Sequence, residues 1–76
     1  MILYTRRDCH LCDAAKGVLD AVRGRAAFDL EIVDVDGDPE LRARFGHDVP
    51  IVFVNGRKAF KHRVDPALFE KKVREG

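Results

Sequence analysis

Two cysteines are the residues of this chain whose type and spacing could do chemistry. Cys9 and Cys12 are its only cysteines, and His10 and Leu11 separate them. A disulfide between them would close a very short loop, and in the chain-entropy account short loops stabilise a fold least. A Cys-x-x-Cys pair that follows a strand and opens a helix is instead typical of a reversible thiol–disulfide centre. The spacing therefore predicts redox chemistry rather than a structural cross-link.

The position of the pair predicts a different role for each thiol. Apolar residues recur after Cys9 at helical steps, at Leu11, Ala15, Val18 and Val22. The free N–H groups where this helix begins favour a thiolate at Cys9, which we interpret as the attacking nucleophile. Cys12, one turn further in, should be more buried and should resolve the mixed disulfide. His10 could tune Cys9 as an imidazolium, or be an exposed residue with little effect.

Metal binding is the main alternative for the pair. Cys9, His10 and Cys12, with His47 or His62, are residue types that bind zinc. However, only one Cys-x-x-Cys is present and the histidines follow no regular zinc-finger spacing. An iron–sulfur cluster shared between two chains, or two inert cysteines, are further alternatives. We predict no metal at the site and keep a metal-binding or cluster-binding module as the alternative function.

The apolar pattern predicts the elements that position the cysteines. Strands are expected over 2–5, 28–35, 49–54 and 57–60, and helices over 9–23, over 39–45 and from 66 onward. The order is β-α-β-α-β-β-α. The first two strands, joined through a helix, should be parallel with a right-handed crossover, whereas the last two should form an antiparallel hairpin. The sequence thus predicts an α/β fold with a four-stranded mixed sheet and three helices.

Local signals mark where these elements begin and end. The Asp38-Pro39 and Asp65-Pro66 pairs each combine a helix cap with proline at the first helical position. Asn55-Gly56 is typical of a two-residue hairpin turn. The alternation of Asp34, Asp36 and Asp38 indicates a solvated turn rather than a calcium loop. Gly17, inside the first helix, indicates a tight packing contact.

Length and charge limit the classes of function. The chain has 76 residues, which predicts one domain over 1–76, and 46% of them are hydrophobic, enough for a core. With 14 Lys and Arg against 13 Asp and Glu, the net charge is +1, so neither nucleic acid nor a membrane is the expected partner. No apolar run has the length of a signal peptide or a membrane span. We expect a cytoplasmic monomer.

A local basic cluster stands out against this near-zero net charge. Its members are Arg57, Lys58, Lys61, His62 and Arg63. Such a cluster could receive an acidic partner protein or an anionic thiol. It could equally be a charged edge strand that resists aggregation.

The cysteine motif and a later proline carry a resemblance to a known family. Residues 4–16 read Tyr-Thr-Arg-Arg-Asp-Cys-His-Leu-Cys-Asp-Ala-Ala-Lys, which resembles the glutaredoxin pattern Tyr-Thr-Lys-x-x-Cys-Pro-Tyr-Cys-x-x-Ala-Lys. Asp48-Val49-Pro50 resembles the Thr-Val-Pro motif of that family. The chain is similar over nearly its whole length to glutaredoxin-like members of the thioredoxin superfamily. The resemblance implies a thioredoxin-like fold and thiol–disulfide oxidoreductase activity.

The same resemblance implies roles for individual residues. Pro50 should follow a cis peptide bond, and Val49 should offer its backbone N–H and C=O to a substrate. Arg6 preserves the positive charge that contacts a glutathione carboxylate in the family. His10 and Leu11 stand where the family has Pro and Tyr, and we expect both to contact the substrate.

One departure from the family bears on the reductant. The glycine pair that binds the other end of glutathione is missing, and residues 60–65 read Phe-Lys-His-Arg-Val-Asp. Larger side chains should obstruct the close backbone approach that glycine permits, so glutathione binding should be weak. We expect no bound cofactor, a disulfide-containing protein or small thiol as substrate, and a reductase or glutathione as external electron donor. A non-catalytic adaptor of the same fold is a third hypothesis.

Overall fold

The computed structural model describes residues 1–75 and contains the predicted elements in the predicted order. The strands are β1 (Ile2–Thr5), β2 (Glu31–Asp34), β3 (Ile51–Val54) and β4 (Arg57–Lys61). The helices are α1 (His10–Arg23), α2 (Pro39–Phe45) and α3 (Pro66–Glu75), and a short 3-10 helix (Val35–Gly37) precedes α2. Within these residues no helix has the length and apolar character needed to cross a membrane.

The four strands form one mixed sheet in the order β2-β1-β3-β4. β1 and β2 are parallel, whereas β3 is antiparallel to both β1 and β4. The carboxyl ends of β1, β2 and β4 and the amino end of β3 therefore lie at one end of the sheet. The cysteine pair follows β1 at this end. The predicted α/β fold, with its parallel pair and its hairpin, is confirmed.

The second strand is shorter than the sequence predicts. Residues 28–35 were expected to be extended throughout, but β2 spans only Glu31–Asp34. Its neighbour β1 offers only four residues for pairing, and the N–H of Glu31 already bonds to the C=O of Met1 at 3.0 Å. Asp34 then ends the strand, since its side chain accepts from the N–H of Asp36 and caps the 3-10 helix. Phe28, although outside the strand, packs against the core.

The core divides between the two faces of the sheet. The larger cluster lies under α1 and α3 and contains Leu3, Ala15, Leu19, Val22, Val52, Val64 and Phe69. The smaller one, on the α2 side, contains Cys12, Val35 and Val49, with Tyr4, Cys9, Leu41 and Phe45 packed against it. The cysteine pair therefore lies against packed apolar side chains, which give it a fixed support.

The turn and cap predictions are confirmed. Asp38 accepts from the N–H of Glu40 at 2.9 Å, and Asp65 accepts from the N–H of Ala67 at 2.9 Å. Each carboxylate satisfies a donor that the first helical turn leaves unpaired. Asn55 and Gly56 have φ of 53° and 79°, as a type I′ hairpin turn requires.

The prediction that Gly17 marks a tight packing contact is wrong. Gly17 is exposed, and a Cβ added there would meet nothing within 4 Å. The glycine therefore only weakens α1, because glycine loses more backbone entropy on folding than alanine does.

We expect Gly17→Ala to raise the free energy of unfolding by about 0.5–1 kcal/mol, since alanine is the better helix former and space is available. Urea unfolding followed by circular dichroism measures the change. Gly46→Ala is the matched control: a Cβ there would lie 2.5 Å from the carbonyl oxygen of Arg42, so that variant should lose stability. A loss of stability in Gly17→Ala would contradict the open environment described for this position.

Candidate functional site

Cys9 is the residue at which α1 begins. It has extended backbone angles, and its Sγ accepts a hydrogen bond from the N–H of Cys12 at 3.2 Å. The side chain is half-buried, so it is reachable from solvent. An N–H donor directed at sulfur, together with the positive end of the helix, stabilises a negative charge on Sγ. This geometry suits a thiolate nucleophile.

Cys12 lies one turn further along α1 and is only 1% exposed. Burial raises the pKa of its thiol from 9.0 to about 11; the neighbouring Cys9 side chain adds to the rise, and a hydrogen bond with the backbone of Arg6 opposes it. Cys12 is therefore a protonated thiol at neutral pH. The prediction that the second cysteine is the more buried of the two is confirmed.

The raised pKa predicts a loss of stability at alkaline pH. Between about pH 9 and about pH 11 the Cys12 thiol ionises in the unfolded chain but stays protonated in the folded protein. The free energy of unfolding of the reduced protein should therefore fall across this interval, by about 2 kcal/mol or less. Below the interval both states keep the proton, and above it both lose it, so Cys12 adds no slope there. Urea unfolding across pH, compared between the native chain and Cys12→Ala, isolates this contribution. Equal slopes in the two proteins would contradict the assignment.

Arg6 follows β1 and is held by the protein itself. Its Nε lies 3.2 Å from Oδ1 of Asp36 and 3.3 Å from Oδ2, and its Nη1 donates to the C=O of Gly46 at 3.1 Å. Asp8, the acidic residue next to Cys9 in the chain, is exposed, and the ion pair of Arg6 is made with Asp36. The positive charge of Arg6 is thus partly neutralised before any substrate arrives.

Asp36 is the site residue that sequence reasoning missed. The alternation of acidic residues was interpreted as a solvated turn, and Asp34 and Asp38 do serve as caps. Asp36, which lies between them, is half-buried and forms the ion pair with Arg6. No local pattern shows this contact, because thirty residues separate the two partners in the chain.

The other predicted substrate-binding residues surround the cysteines. Val49 is buried in the cluster that contains Cys12, and the Val49–Pro50 peptide bond is cis, as the resemblance implies. Val49 precedes β3, so its N–H and C=O take no part in the strand pairing. His10 is exposed at the first position of α1. Leu11 is 40% exposed.

The connection between β4 and α3 forms one wall beside α1. The N–H of His62 donates to the C=O of Pro50 at 2.8 Å, which ties this connection to the residue after Val49. A shallow cleft of about 320 Å³ lies between the connection and α1, with Leu11 and Val18 on one side and Val64 on the other. A second cleft of about 380 Å³ is lined by Arg6 and by residues of α2.

The basic cluster lies on an edge strand of the sheet, as one of its two interpretations predicts. β4 pairs only with β3, and Arg57, Lys58 and Lys61 are exposed along it. Lys61 forms an ion pair of 3.2 Å with Asp48. His62 and Arg63 follow directly and are exposed at the same end of the sheet as the cysteines.

The described residues do not gather the ligands that a metal site needs. Among residues 1–75, no three His, Cys, Asp or Glu side chains are grouped so as to hold a metal ion. His47 and His62, which the zinc alternative would require beside the cysteines, instead contact each other, with His62 Nε2 3.4 Å from the C=O of His47.

A four-stranded mixed sheet with helices on both faces, a Cys-x-x-Cys at the start of α1 and a cis proline before β3 together define a protein of the thioredoxin superfamily. Comparison with known sequences narrows this class. The sequence profile of the Glutaredoxin-like domain (DUF836) matches residues 1–74. The chain therefore belongs to this glutaredoxin-like family.

Two relatives are similar to this chain over most of its length. An uncharacterized protein of Mycobacterium tuberculosis is 35% identical over 68 residues, which cover 83% of this chain and 70% of that protein. The "Glutaredoxin-like protein YDR286C homolog" of Dictyostelium discoideum is 31% identical over 70 residues, covering 82% of this chain and 63% of that protein.

Two solved structures share the fold. The crystal structure of protein XcR50 from X. campestris has a TM-score of 0.81 at 30% identity and covers 99% of this chain and 96% of that one. The solution structure of protein Ne2328 from Nitrosomonas europaea has a TM-score of 0.77 at 26% identity, covering 95% and 87%. The thioredoxin-like fold is therefore shared with these proteins along nearly the whole chain.

Proposed function

We propose that this protein is a thiol–disulfide oxidoreductase in which Cys9 and Cys12 cycle between two thiols and a disulfide. The observation that carries the proposal is the asymmetry of the pair. Cys9 caps α1 and accepts the N–H of Cys12 at 3.2 Å, whereas Cys12 is buried and protonated. A reachable sulfur that can hold charge beside a shielded thiol is the arrangement that two-step disulfide exchange requires.

In the first step the thiolate of Cys9 attacks one sulfur of a substrate disulfide. A bond forms between Cys9 and that sulfur, the substrate disulfide breaks, and the second substrate sulfur leaves as a thiolate that takes up a proton. Cys12 then loses its proton and attacks the sulfur of Cys9. The Cys9–Cys12 disulfide forms and the first substrate thiol is released. The substrate gains two electrons and two protons, and the cysteine pair loses them.

The same contacts account for the timing of the second step. Cys9 is one of the groups that keep the pKa of the Cys12 thiol high, through a hydrogen bond and through its charge. Once Cys9 is part of a mixed disulfide it carries no charge, so this part of the barrier to ionisation of Cys12 disappears. Burial, the largest cause of the raised pKa, remains, so Cys12 becomes more reactive, but not fully activated, once Cys9 has reacted with a substrate.

An external reductant must return the pair to its thiol form. We expect a dithiol reductase to do this faster than glutathione, because Asp36 already holds Arg6 and because residues 60–65 lack the glycine pair of the family. Weak glutathione binding follows from both features.

The test begins with the reduced protein and a small neutral disulfide. We expect oxidation of the protein with loss of two hydrogen atoms, seen by intact mass, and loss of both titratable thiols. The oxidised protein is then mixed with glutathione or with a thioredoxin reductase system, and the latter should reduce it faster. Failure of the pair to oxidise, or stoichiometric iron or zinc in anaerobically purified protein, would refute the proposal.

A further inference from the structure

The cleft between α1 and the β4–α3 connection has an apolar interior. Leu11, Ala15 and Val64 line it, and its volume is about 320 Å³. Leu11 is a large apolar side chain that remains 40% exposed although it is only two residues from Cys9. A cleft of this size has room for an apolar side chain, and Leu11 extends its apolar lining toward the surface.

The rim of the cleft is cationic. His62 and Arg63 line it, and no acidic residue does. Within residues 1–75, Arg63 forms no ion pair, in contrast to Arg6, which is held by Asp36 at the opposite cleft. A guanidinium without an internal carboxylate, beside an apolar cleft, favours an incoming carboxylate.

Charge is also segregated across the sheet. Every charged residue from Ala26 to Leu41, the stretch that carries β2, is acidic, namely Asp29, Glu31, Asp34, Asp36, Asp38 and Glu40. Residues 57–64, which include the opposite edge strand β4, contain no acidic residue and carry Arg57, Lys58, Lys61 and Arg63; Lys61 is paired with Asp48. The two edges are separated by β1 and β3, so an approaching anionic segment is directed to the β4 side, where the cleft lies.

The wall that carries the rim is held in a fixed, unusual conformation. His62 has φ of 68°, a left-handed angle that costs energy for a residue other than glycine. Its N–H bonds to the C=O of Pro50 and the N–H of Arg63 bonds to the C=O of Lys61, both at 2.8 Å. Strained residues that neighbours hold in place are common at binding sites. Here this conformation places two basic side chains at the rim of the cleft.

We propose that this cleft binds a segment of a protein substrate that carries an apolar side chain and a carboxylate close to its disulfide. Arg63 is the residue that selects for the carboxylate, and Leu11 contacts the apolar side chain. The proposal rests on the redox function proposed above, because it assigns the cleft to the substrate of Cys9. Under this proposal the protein selects its substrate by the charge of the partner segment and not by recognition of glutathione.

The binding test uses peptides that contain no cysteine, so its result does not depend on redox activity. A short peptide with glutamates around a leucine, its lysine analogue and its leucine-to-alanine analogue are titrated against the ¹⁵N-labelled reduced protein. We expect the amide signals of Leu11, Ala15 and Val64 to shift with the acidic leucine peptide. The lysine analogue should bind about tenfold more weakly. The alanine analogue should bind about three- to tenfold more weakly.

Charge reversal on β4 and after it supplies the matched variants. Arg63→Glu should weaken binding of the acidic peptide about tenfold and strengthen binding of the lysine peptide. Lys58→Glu makes the same charge change on an exposed residue nearer the hairpin turn, outside the cleft, and should alter either affinity less than about twofold. Equal affinity for the acidic and lysine peptides, equal effects of the two variants, or shifts confined to the Arg6 cleft would overturn the proposal.

A kinetic arm separates the two proposals. With disulfide-containing forms of the same peptides, the native protein should reduce the acidic one faster, and Arg63→Glu should reverse the order. The control variant Lys58→Glu should keep the order of the native protein and its rate with a small neutral disulfide. Selective peptide binding without reduction of any disulfide would refute the redox function and support the docking site. Reduction of all the peptide disulfides at equal rates would support the redox function and refute the docking site. Shifts of the same size from glutathione at the same concentration would overturn the choice of a protein segment as ligand.

Discussion

Cys9→Ser is expected to lower the rate of disulfide reduction by about a thousandfold or more. A hydroxyl does not ionise near neutral pH and cannot form the mixed disulfide. The variant should nevertheless keep the fold, because serine is among the preferred residues at the position before a helix. Its Oγ can accept the N–H of Cys12 as Sγ does in the native protein. Loss of activity would then report on chemistry rather than on unfolding.

Cys12→Ser should have a different outcome. The first exchange step needs only Cys9, so the variant should form a stable mixed disulfide with its substrate. When no other thiol is added, nothing replaces Cys12 as the resolving group, and the adduct should accumulate. Intact mass measurement of the non-reduced protein shows it as an increase equal to the mass of one substrate thiol less two hydrogens, one lost from each sulfur of the new bond.

The two variants together discriminate among the hypotheses for the pair. Reduction that survives in Cys9→Ser would remove Cys9 from the mechanism. A Cys12→Ser protein that forms no adduct, while the native pair oxidises, would assign the first attack to another group. If the protein is an adaptor without redox activity, neither variant should differ from the native protein in disulfide reduction. If it is a metal-binding module, both variants should lose metal.

The elements that sequence alone could predict are those whose causes are local. The Asp38-Pro39 cap and the Asn55-Gly56 turn depend on adjacent residues, and both occur where expected. The helical spacing after Cys9 likewise predicts α1 and the inward position of Cys12. Each of these features is stabilised by contacts between residues within a few positions of each other, which a sequence displays directly.

The features that sequence could not predict arise from distant partners. β2 is short because β1 offers only four residues for pairing. Arg6 forms an ion pair with Asp36, which lies beside it in space although the two residues are remote in the chain. The left-handed angle of His62 depends on its bond to the C=O of Pro50 across the sheet end. A pattern of residue types contains no signal for any of these contacts, which is why the cleft and its rim emerge only from the structure.

The largest structural effect is expected at Phe69 in α3. Phe69 is 0% exposed and packs edge-to-face against Phe28 at 5.5 Å and Phe60 at 6.1 Å between ring centroids. Truncating a buried phenylalanine to alanine costs about 3–5 kcal/mol, from lost transfer energy and the cavity left behind. A domain of this length has a free energy of unfolding of only about 4–11 kcal/mol. Phe69→Ala should therefore unfold a large fraction of the protein at moderate temperature.

Leu68→Ala is the matched control, because it truncates the preceding residue of the same helix. Leu68 is 53% exposed, so its loss should change the free energy of unfolding by less than about 0.5 kcal/mol. Phe69→Leu, which keeps most of the volume, should cost about 1–2 kcal/mol and remain folded enough for a complete urea curve. That intermediate variant keeps the test informative if Phe69→Ala does not fold. Similar losses in the Leu68 and Phe69 variants would mean that α3 does not present Phe69 to the core. That result would also contradict the packing described for Val64, which supports the wall of the substrate cleft, since Val64 and Phe69 belong to the same cluster.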